Sequence, residues 1–329
     1  MAGTGPTLRV EGLRTHFFTN DGIVKAVDDV SFEVDRGHAL GLVGESGCGK
    51  TVTGFSIIGL VDPPGRVTDG RILFNGENLL TAGEKRLRSL RGDRIAMIFQ
   101  DPMMTLNPVL KIETQMVETV LAHQNVDRST ARQMARDAMG KVGIPSPDER
   151  LSAYPHQFSG GMRQRVAIAI AFINRPDLII ADEPTTALDV TIQGQILFEA
   201  QKLCREAGTA LIWITHDLAV VAGLADRICV MYAGRIVEEG TLDDVLDWPI
   251  HPYTRGLLNS VPSQKKSGER LEQIPGMTPS PLNLPPGCAF DGDVDCDTDA
   301  DSVDALRILR YVSGLPNNLQ PGCPEIGSG

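Results

Sequence analysis

"GESGCGKT", residues 44–51, follows the apolar run "HALGLV" and leads into the helical pattern "TVTGFSIIGL". Strand, glycine-rich turn fitting G-x-x-x-x-G-K-[ST], and helix, in that order, make a phosphate loop. Gly44, Gly47 and Gly49 let successive backbone N–H groups turn toward one point, and the helix N-terminus adds partial positive charge there. Glu45, Ser46, Cys48 and Val52 complete the cradle. Lys50 is placed to reach the β- and γ-phosphates of a nucleotide, and the Thr51 hydroxyl to bind Mg²⁺.

The segments around this loop predict its architecture. "LIIAD" (178–182) and "ALIWIT" (210–215) are near-continuous apolar runs, the pattern of strands buried on both faces. Between them Ile192, Ile196, Ala200 and Leu203 recur at helical spacing, and residues 163–174 predict a helix that is apolar nearly all round after its first turn. Strand alternating with helix predicts an α/β fold with a parallel sheet core covered on both faces. Near the start, "LRVEGLRTHFF" and "VDDVSFEV" alternate as strands do. Residues 101–165 hold methionine-rich and polar helical patterns such as "TARQMARDAMGKVG", with no convincing buried strand, and are expected to form a helical insert. "RICVMYAGRIVEEG" predicts a hairpin turning at Ala233 and Gly234, followed by a short helix and the proline-rich stretch "IPGMTPSPLNLPPG".

Charge narrows the class of partner. The 329 residues carry a formal −11, but eight acidic and two basic side chains fall in residues 288–329, which leaves −5 for the rest. That balance lacks the concentrated basic face of a nucleic-acid protein. The longest clear apolar stretch, "VAIAIAFI" (166–173), falls well short of the roughly 20 residues of a spanning helix. No export signal is read at the start, and six scattered cysteines fit a reduced compartment.

"LIIADEP" sets Asp182 and Glu183 at the carboxyl end of a buried strand, the edge at which the phosphate loop also lies. Adjacent carboxylates there can divide two tasks: Asp182 holds the magnesium shell, and Glu183 orients or deprotonates an attacking water. "FSGGMRQR" (158–165) places Ser159, Gly160 and Gly161 before a helix, a second place where backbone donors and a hydroxyl can meet phosphate oxygens.

The order of these pieces resembles the ATP-binding subunit of ATP-binding-cassette (ABC) transporters, with "FSGGM" matching that family's signature "LSGGQ". Phe158 and Met162 depart from the commonest form. The resemblance implies a P-loop NTPase of the ABC cassette type, with an N-terminal antiparallel β subdomain and a helical subdomain at about 101–165. It implies ATP and Mg²⁺ as ligands. By the same resemblance Gln100 senses magnesium and the membrane partner, and His216 contacts the γ-phosphate. Asp189 of "TTALDV" crosses to a second cassette, and Phe17 or its neighbour Phe18 stacks on adenine.

"FQDPMMTLNPV" (99–109) and "HPYTRGLLNSVP" (251–262), with the proline-rich stretch after them, are similar to the oligopeptide/dipeptide importer ATPases. The division implied is a cassette over 1–250, an importer-type extension over 251–287 and an acidic tail over 288–329. The partners implied are a second cassette, identical or sister, transmembrane permease subunits and, indirectly, a peptide-binding protein, with no nucleic acid. The location implied is peripheral, on the cytoplasmic face of the cell membrane. An ABC ATPase of translation or DNA repair fits less well, because one lysine loop is present and the 108 positions from Thr51 to Ser159 show no heptads.

The tail "DGDVDCDTDADSVDALRILR" (291–310) puts Asp293, Asp295, Asp297, Asp299, Asp301 and Asp304 at the ligand positions of an EF-hand-like calcium loop. It resembles one calcium repeat of a dockerin, although position 6 is Thr298 instead of glycine. Ca²⁺ in the tail is therefore one expectation and a solvated acidic tail the other. Cys288 begins a pattern that some importer relatives use for an iron–sulfur cluster, but Cys296 and Cys323 lie at other spacings, so no cluster is expected.

Overall fold

The computed structural model describes residues 5–185, 190–260, 279–282, 284 and 288–290. Ten strands among these residues fall into two sheets: β1 (Leu8–Thr19), β2 (Gly22–Val34), β3 (Ala39–Val43), β4 (Gly65–Phe74), β5 (Glu77–Asn78), β6 (Ile95–Ile98), β7 (Leu178–Asp182), β8 (Ala210–Thr215), β9 (Arg227–Tyr232) and β10 (Arg235–Thr241). One sheet is antiparallel, in the order β2-β1-β4-β5, and the other runs β10-β9-β3-β8-β7-β6. Strands β9, β3, β8, β7 and β6 pair in parallel, and only β10 runs against its neighbour.

The apolar runs read from the sequence occupy the middle of the second sheet, where alternate side chains feed different cores. Ile179, Ala181, Leu211 and Trp213 face a core shared with the helices of residues 102–172, while Leu178, Ile180, Ile212 and Ile214 face one shared with the antiparallel sheet. Burial on both sides is why these strands show no polar alternation. The predicted hairpin is present, with Ala233 at φ 45° and Gly234 at φ 86°, the two left-handed residues that a tight antiparallel turn needs.

Strand β4 has no counterpart in the sequence reading. Its "GRVTDGRILF" mixes polar residues into the run and breaks at Gly70, where φ is 104° and a Cβ would sit 2.7 Å from the Gly12 carbonyl oxygen. Close backbone approach at an irregular pairing of β1 and β4 demands a glycine there and hides the strand pattern.

Among the described residues eleven α-helices fill the connections, beginning with α1 (Lys50–Ile58) and α2 (Glu84–Leu90). The insert holds α3 (Pro102–Thr105), α4 (Ile112–Leu121), α5 (Arg128–Lys141), α6 (Pro147–Leu151) and the first turn of α7 (Gly160–Phe172). Met116, Val117, Ala135 and Met139 are fully buried here and belong to the same core as Trp213, so α7 joins the insert to the sheet. The chain continues through α8 (Val190–Ala207), α9 (Leu218–Ala222), α10 (Leu242–Asp247) and α11 (Pro252–Asn259). A third core gathers Val43, Ile228, Val230 and Tyr232 with Val245, Tyr253 and Leu258, and Leu284, Ala289 and Phe290 pack against it. Helix α11 and residues 284, 289 and 290 are thus seated beside the end of β3, where the phosphate loop begins.

Candidate active site

All five residues of β3 are buried, and the chain leaves this strand into the glycine turn. Gly49 caps α1 at φ 107°, and a Cβ there would lie 2.2 Å from the Ala26 carbonyl oxygen. At Gly44 a Cβ would meet the Met231 carbonyl oxygen at 2.1 Å. Both positions admit only glycine, for reasons internal to the fold. Lys50 is 4% exposed and its Nζ donates to the carbonyl oxygens of Gly44 at 2.7 Å and Glu45 at 2.8 Å. The lysine charge thereby lies over the turn. No acidic residue occupies the first turn of α1, so the helix keeps its positive N-terminal potential. Ser46 and Gly47 form the exposed rim, Val52 is half-buried, and burial pushes the Cys48 thiol up, with the Lys50 ammonium opposing. Cys48 is a packing residue here, not a thiolate.

The Thr51 hydroxyl donates to Asp182 Oδ1 at 3.0 Å. Asp182 is buried at the end of β7. Burial pushes its carboxyl above the usual range, the Glu183 charge adds to this, and the Thr51 hydroxyl and Lys50 oppose. Glu183 follows at φ 41°, a left-handed conformation that costs a non-glycine residue about 1 kcal/mol. Its own N–H still bonds the Ile214 carbonyl at 2.9 Å, so the bend turns the side chain without losing the sheet. Gln100 Nε2 donates to Glu183 Oε2 at 3.2 Å, and His216 Nδ1 lies 3.1 Å from Glu183 Oε1. Two residues singled out separately in the sequence, from the ends of β6 and β8, therefore converge on the carboxylate at the end of β7.

The donor set fits a hard divalent cation. Thr51 and Asp182 present oxygen atoms side by side, and the Gln100 amide meets the adjoining Glu183. Among the described residues no group of three or more histidine, cysteine or acidic side chains stands close enough to hold a metal on its own. A cation here would need oxygens from a phosphate as well, which is the usual habit of Mg²⁺.

Ser159, Gly160 and Gly161 stand on the insert side of the molecule. The Ser159 hydroxyl caps α7 by accepting from the Met162 N–H at 3.3 Å, while Phe158 is buried beneath the Arg150 guanidinium. Ser159 and Gly160 are exposed. Phe17 lies at the register position opposite Gly65, packed so closely that a Cβ on Gly65 would sit 2.5 Å from its ring. Phe18 is the exposed member of the pair, with Arg66 at 4.2 Å from its ring centre. Asp189 and the six tail aspartates lie outside the described residues.

One contact was missed. The Tyr253 hydroxyl, from the first turn of α11, accepts the Glu45 N–H at 2.9 Å. The sequence signal was the stretch "HPYT", noted for its resemblance but given no role: a helix entry whose proline and N-cap fix the next side chain.

The profile of the ABC transporter family matches residues 27–186, and that of the oligopeptide/dipeptide transporter C-terminal region matches 237–293. The dipeptide transport ATP-binding protein DppD of Bacillus subtilis (strain 168) is 51% identical over 284 residues, which covers 86% of this chain and 85% of that one. The oligopeptide transport ATP-binding protein OppD of Escherichia coli (strain K12) is 49% identical over 283 residues, covering 86% and 84%. Among solved structures, a dimeric ATP-binding cassette in a post-hydrolysis state, bound to ADP and Pi, superposes with a TM-score of 0.65 at 25% identity, covering 71% of this chain and 98% of that one. With the cassette fold, the phosphate loop and this level of identity established, the chain belongs to the ATP-binding proteins of ABC transporters, in the oligopeptide/dipeptide group.

Proposed function

We propose that this chain binds MgATP, pairs head to tail with a second cassette, and hydrolyses ATP to power inward movement of di- and oligopeptides through separate membrane subunits. The convergence of Gln100 and His216 on Glu183, beside the Thr51–Asp182 pair, is the observation that carries the hydrolytic half. The importer-type extension and the relatives' stated activities support the transport half. No helix among the described residues is long and apolar enough to cross a membrane. In this reading the chain works on partner permeases and sits peripherally, on their cytoplasmic face. A peptide-binding protein would deliver the cargo.

In this reading Lys50 and the loop N–H groups bind the β- and γ-phosphates, and Phe17 flanks the adenine. Glu183 takes a proton from water as its oxygen attacks the γ-phosphorus and the bond to the bridging oxygen breaks, giving ADP and phosphate. Gln100 and His216 hold that carboxylate in line, with His216 also facing the γ-phosphate. Thr51 and Asp182 would hold Mg²⁺, which when bound neutralises phosphate charge. Ser159, Gly160 and Gly161 of one chain close over the nucleotide of the other, with Asp189 at the same interface, and closure excludes water.

The test is uptake of a labelled dipeptide and a labelled pentapeptide by cells whose only copy is the unmodified chain or Lys50→Ala. Removing the lysine is expected to lower ATP turnover at least ~10²-fold and stop uptake of the transported peptide. Unchanged uptake of both peptides would remove the transport reading, and unchanged turnover the hydrolytic one.

A further inference from the structure

The phosphate loop is held from both sides. From within, Lys50 secures the carbonyls of Gly44 and Glu45; from without, the Gly234 N–H of the β9–β10 turn donates to the Cys48 carbonyl at 2.9 Å. The third fixed point is the Glu45 amide on the Tyr253 hydroxyl at 2.9 Å, a bond that spans 208 positions of sequence.

Tyr253 is built to hold still. The His251 and Ile250 N–H groups donate to the two oxygens of Glu238, His251 Nδ1 caps α11 by accepting from the Tyr253 N–H, and Pro252 supplies the first helical residue. The ring is wholly buried, with its centre 4.4 Å from that of Tyr232 and 5.5 Å from that of Phe290. Phe290 also meets Tyr232 edge-on at 5.4 Å, so the returning segment at 288–290 closes the cluster. Burial drives the phenol far above its ordinary value, which keeps the hydroxyl neutral.

We propose that Tyr253 is a positioning residue for the phosphate loop: through the Glu45 amide it sets the loop for nucleotide, and α11 with Phe290 packed against its tyrosine is thereby a working part of the ATP site. This rests on the reading of the chain as an ATPase. The loop turns on three glycines at positive φ, residues whose backbone, left unheld, would have the most conformational freedom to lose on binding phosphate. An anchor outside the phosphate-facing surface removes part of that cost before ATP arrives, and it acts on ground state and transition state alike. The kinetic mark of such uniform binding is KM without kcat.

The full chain is compared with Tyr253→Phe, which keeps the ring and removes the acceptor, and with Phe290→Ala, which keeps the hydroxyl and loosens its seat. Tyr253→Phe is expected to raise KM for MgATP about three- to tenfold with kcat changed less than about twofold and little shift in Tm. Phe290→Ala is expected to raise KM by less. An unchanged KM in Tyr253→Phe overturns the proposal, as does a KM that moves only in proportion to lost folded protein. Hydrogen exchange at the Glu45 amide of the unmodified, nucleotide-free chain decides independently of turnover: strong protection supports the anchor, and exchange at the free-peptide rate overturns it. Absence of ATP turnover in the unmodified chain would instead strike the ATPase reading, while the exchange measurement still tests the anchor.

Discussion

Gly49 and Gly160 each stand at the start of a helix in a glycine turn, and the two turns are made in opposite ways. Gly49 is buried at φ 107° against the Ala26 carbonyl and the Met231 methyl, so the fold itself requires a residue without a Cβ. Gly160 has an ordinary φ, is exposed, and would place a Cβ with nothing within 4 Å. The first turn is completed by its own chain. At the second, nothing among the described residues asks for glycine, which is what a surface that closes on another molecule's nucleotide would look like.

The harshest way to test the contrast is Gly49→Ala. A methyl group pressed into a backbone carbonyl, at a φ that L-residues avoid, is expected to cost ~3 kcal/mol or more. The variant should unfold at clearly lower urea concentration and bind no ATP. Retention of the wild-type midpoint would show that the turn can be rebuilt without its glycine.

Next in size is Glu183→Gln, which keeps shape and removes the proton acceptor. Turnover is expected to fall ~10²–10³-fold while MgATP still binds, because Lys50, Thr51 and Asp182 are untouched. Size-exclusion in MgATP should then show the variant held as a dimer. A variant that turns over normally assigns the base elsewhere.

Gly160→Ala sharpens the comparison from the other side. In the isolated chain the added methyl lies in open space, so stability should stay within about 0.5 kcal/mol of wild type. Turnover is expected to drop about tenfold if a partner's phosphates pack there, since a shift of ~1 Å at a reacting centre costs up to ~10². Mixing Gly160→Ala with Lys50→Ala chains separates the roles: in a mixed dimer one composite site retains both an intact lysine loop and an intact signature turn only when the two defects fall in the same site. Equal turnover of Gly160→Ala and wild type would mean that no surface closes at this turn.

The sequence disclosed whatever is encoded by short local rules. Lys50 and Thr51 follow from a spacing, and Asp182 and Glu183 from a buried strand that ends in acid. Even the Ala233–Gly234 turn follows from two residues between apolar runs. What it did not disclose depends on the meeting of distant segments. Strand β4 is masked by the Asp69–Gly70 step, whose reason is the Gly12 carbonyl 58 positions earlier. The Tyr253 contact is masked because nothing in "HPYT" says which backbone amide its hydroxyl will meet. The left-handed Glu183 is likewise visible only in three dimensions, since its neighbours Gln100 and His216 come from two other strand ends.

The gentlest probe concerns the seat of that tyrosine. His251 Nδ1 must be unprotonated to accept the Tyr253 N–H, and burial holds the imidazole below its ordinary 6.5, with Glu238 opposing. The groups around it are the Glu238 carboxylate, the Cys288 thiol at 3.4 Å from Nε2, and the Phe290 ring. Because the folded value lies below the unfolded one, the unfolded chain takes the proton first. The cap's contribution is therefore complete above pH 6.5 and is lost as pH falls through the folded value. His251→Asn keeps a side-chain acceptor at the cap and has no proton to gain. Urea midpoints at pH 7.5, 6.5 and 5.5 should fall more steeply for the unmodified chain than for His251→Asn, by no more than one proton's worth. His16, also lowered chiefly by burial, drops out of the difference because both chains carry it. Parallel pH profiles would mean that the cap does not depend on a neutral His251, and the extension would then hold Tyr253 through Glu238 and the aromatic cluster alone.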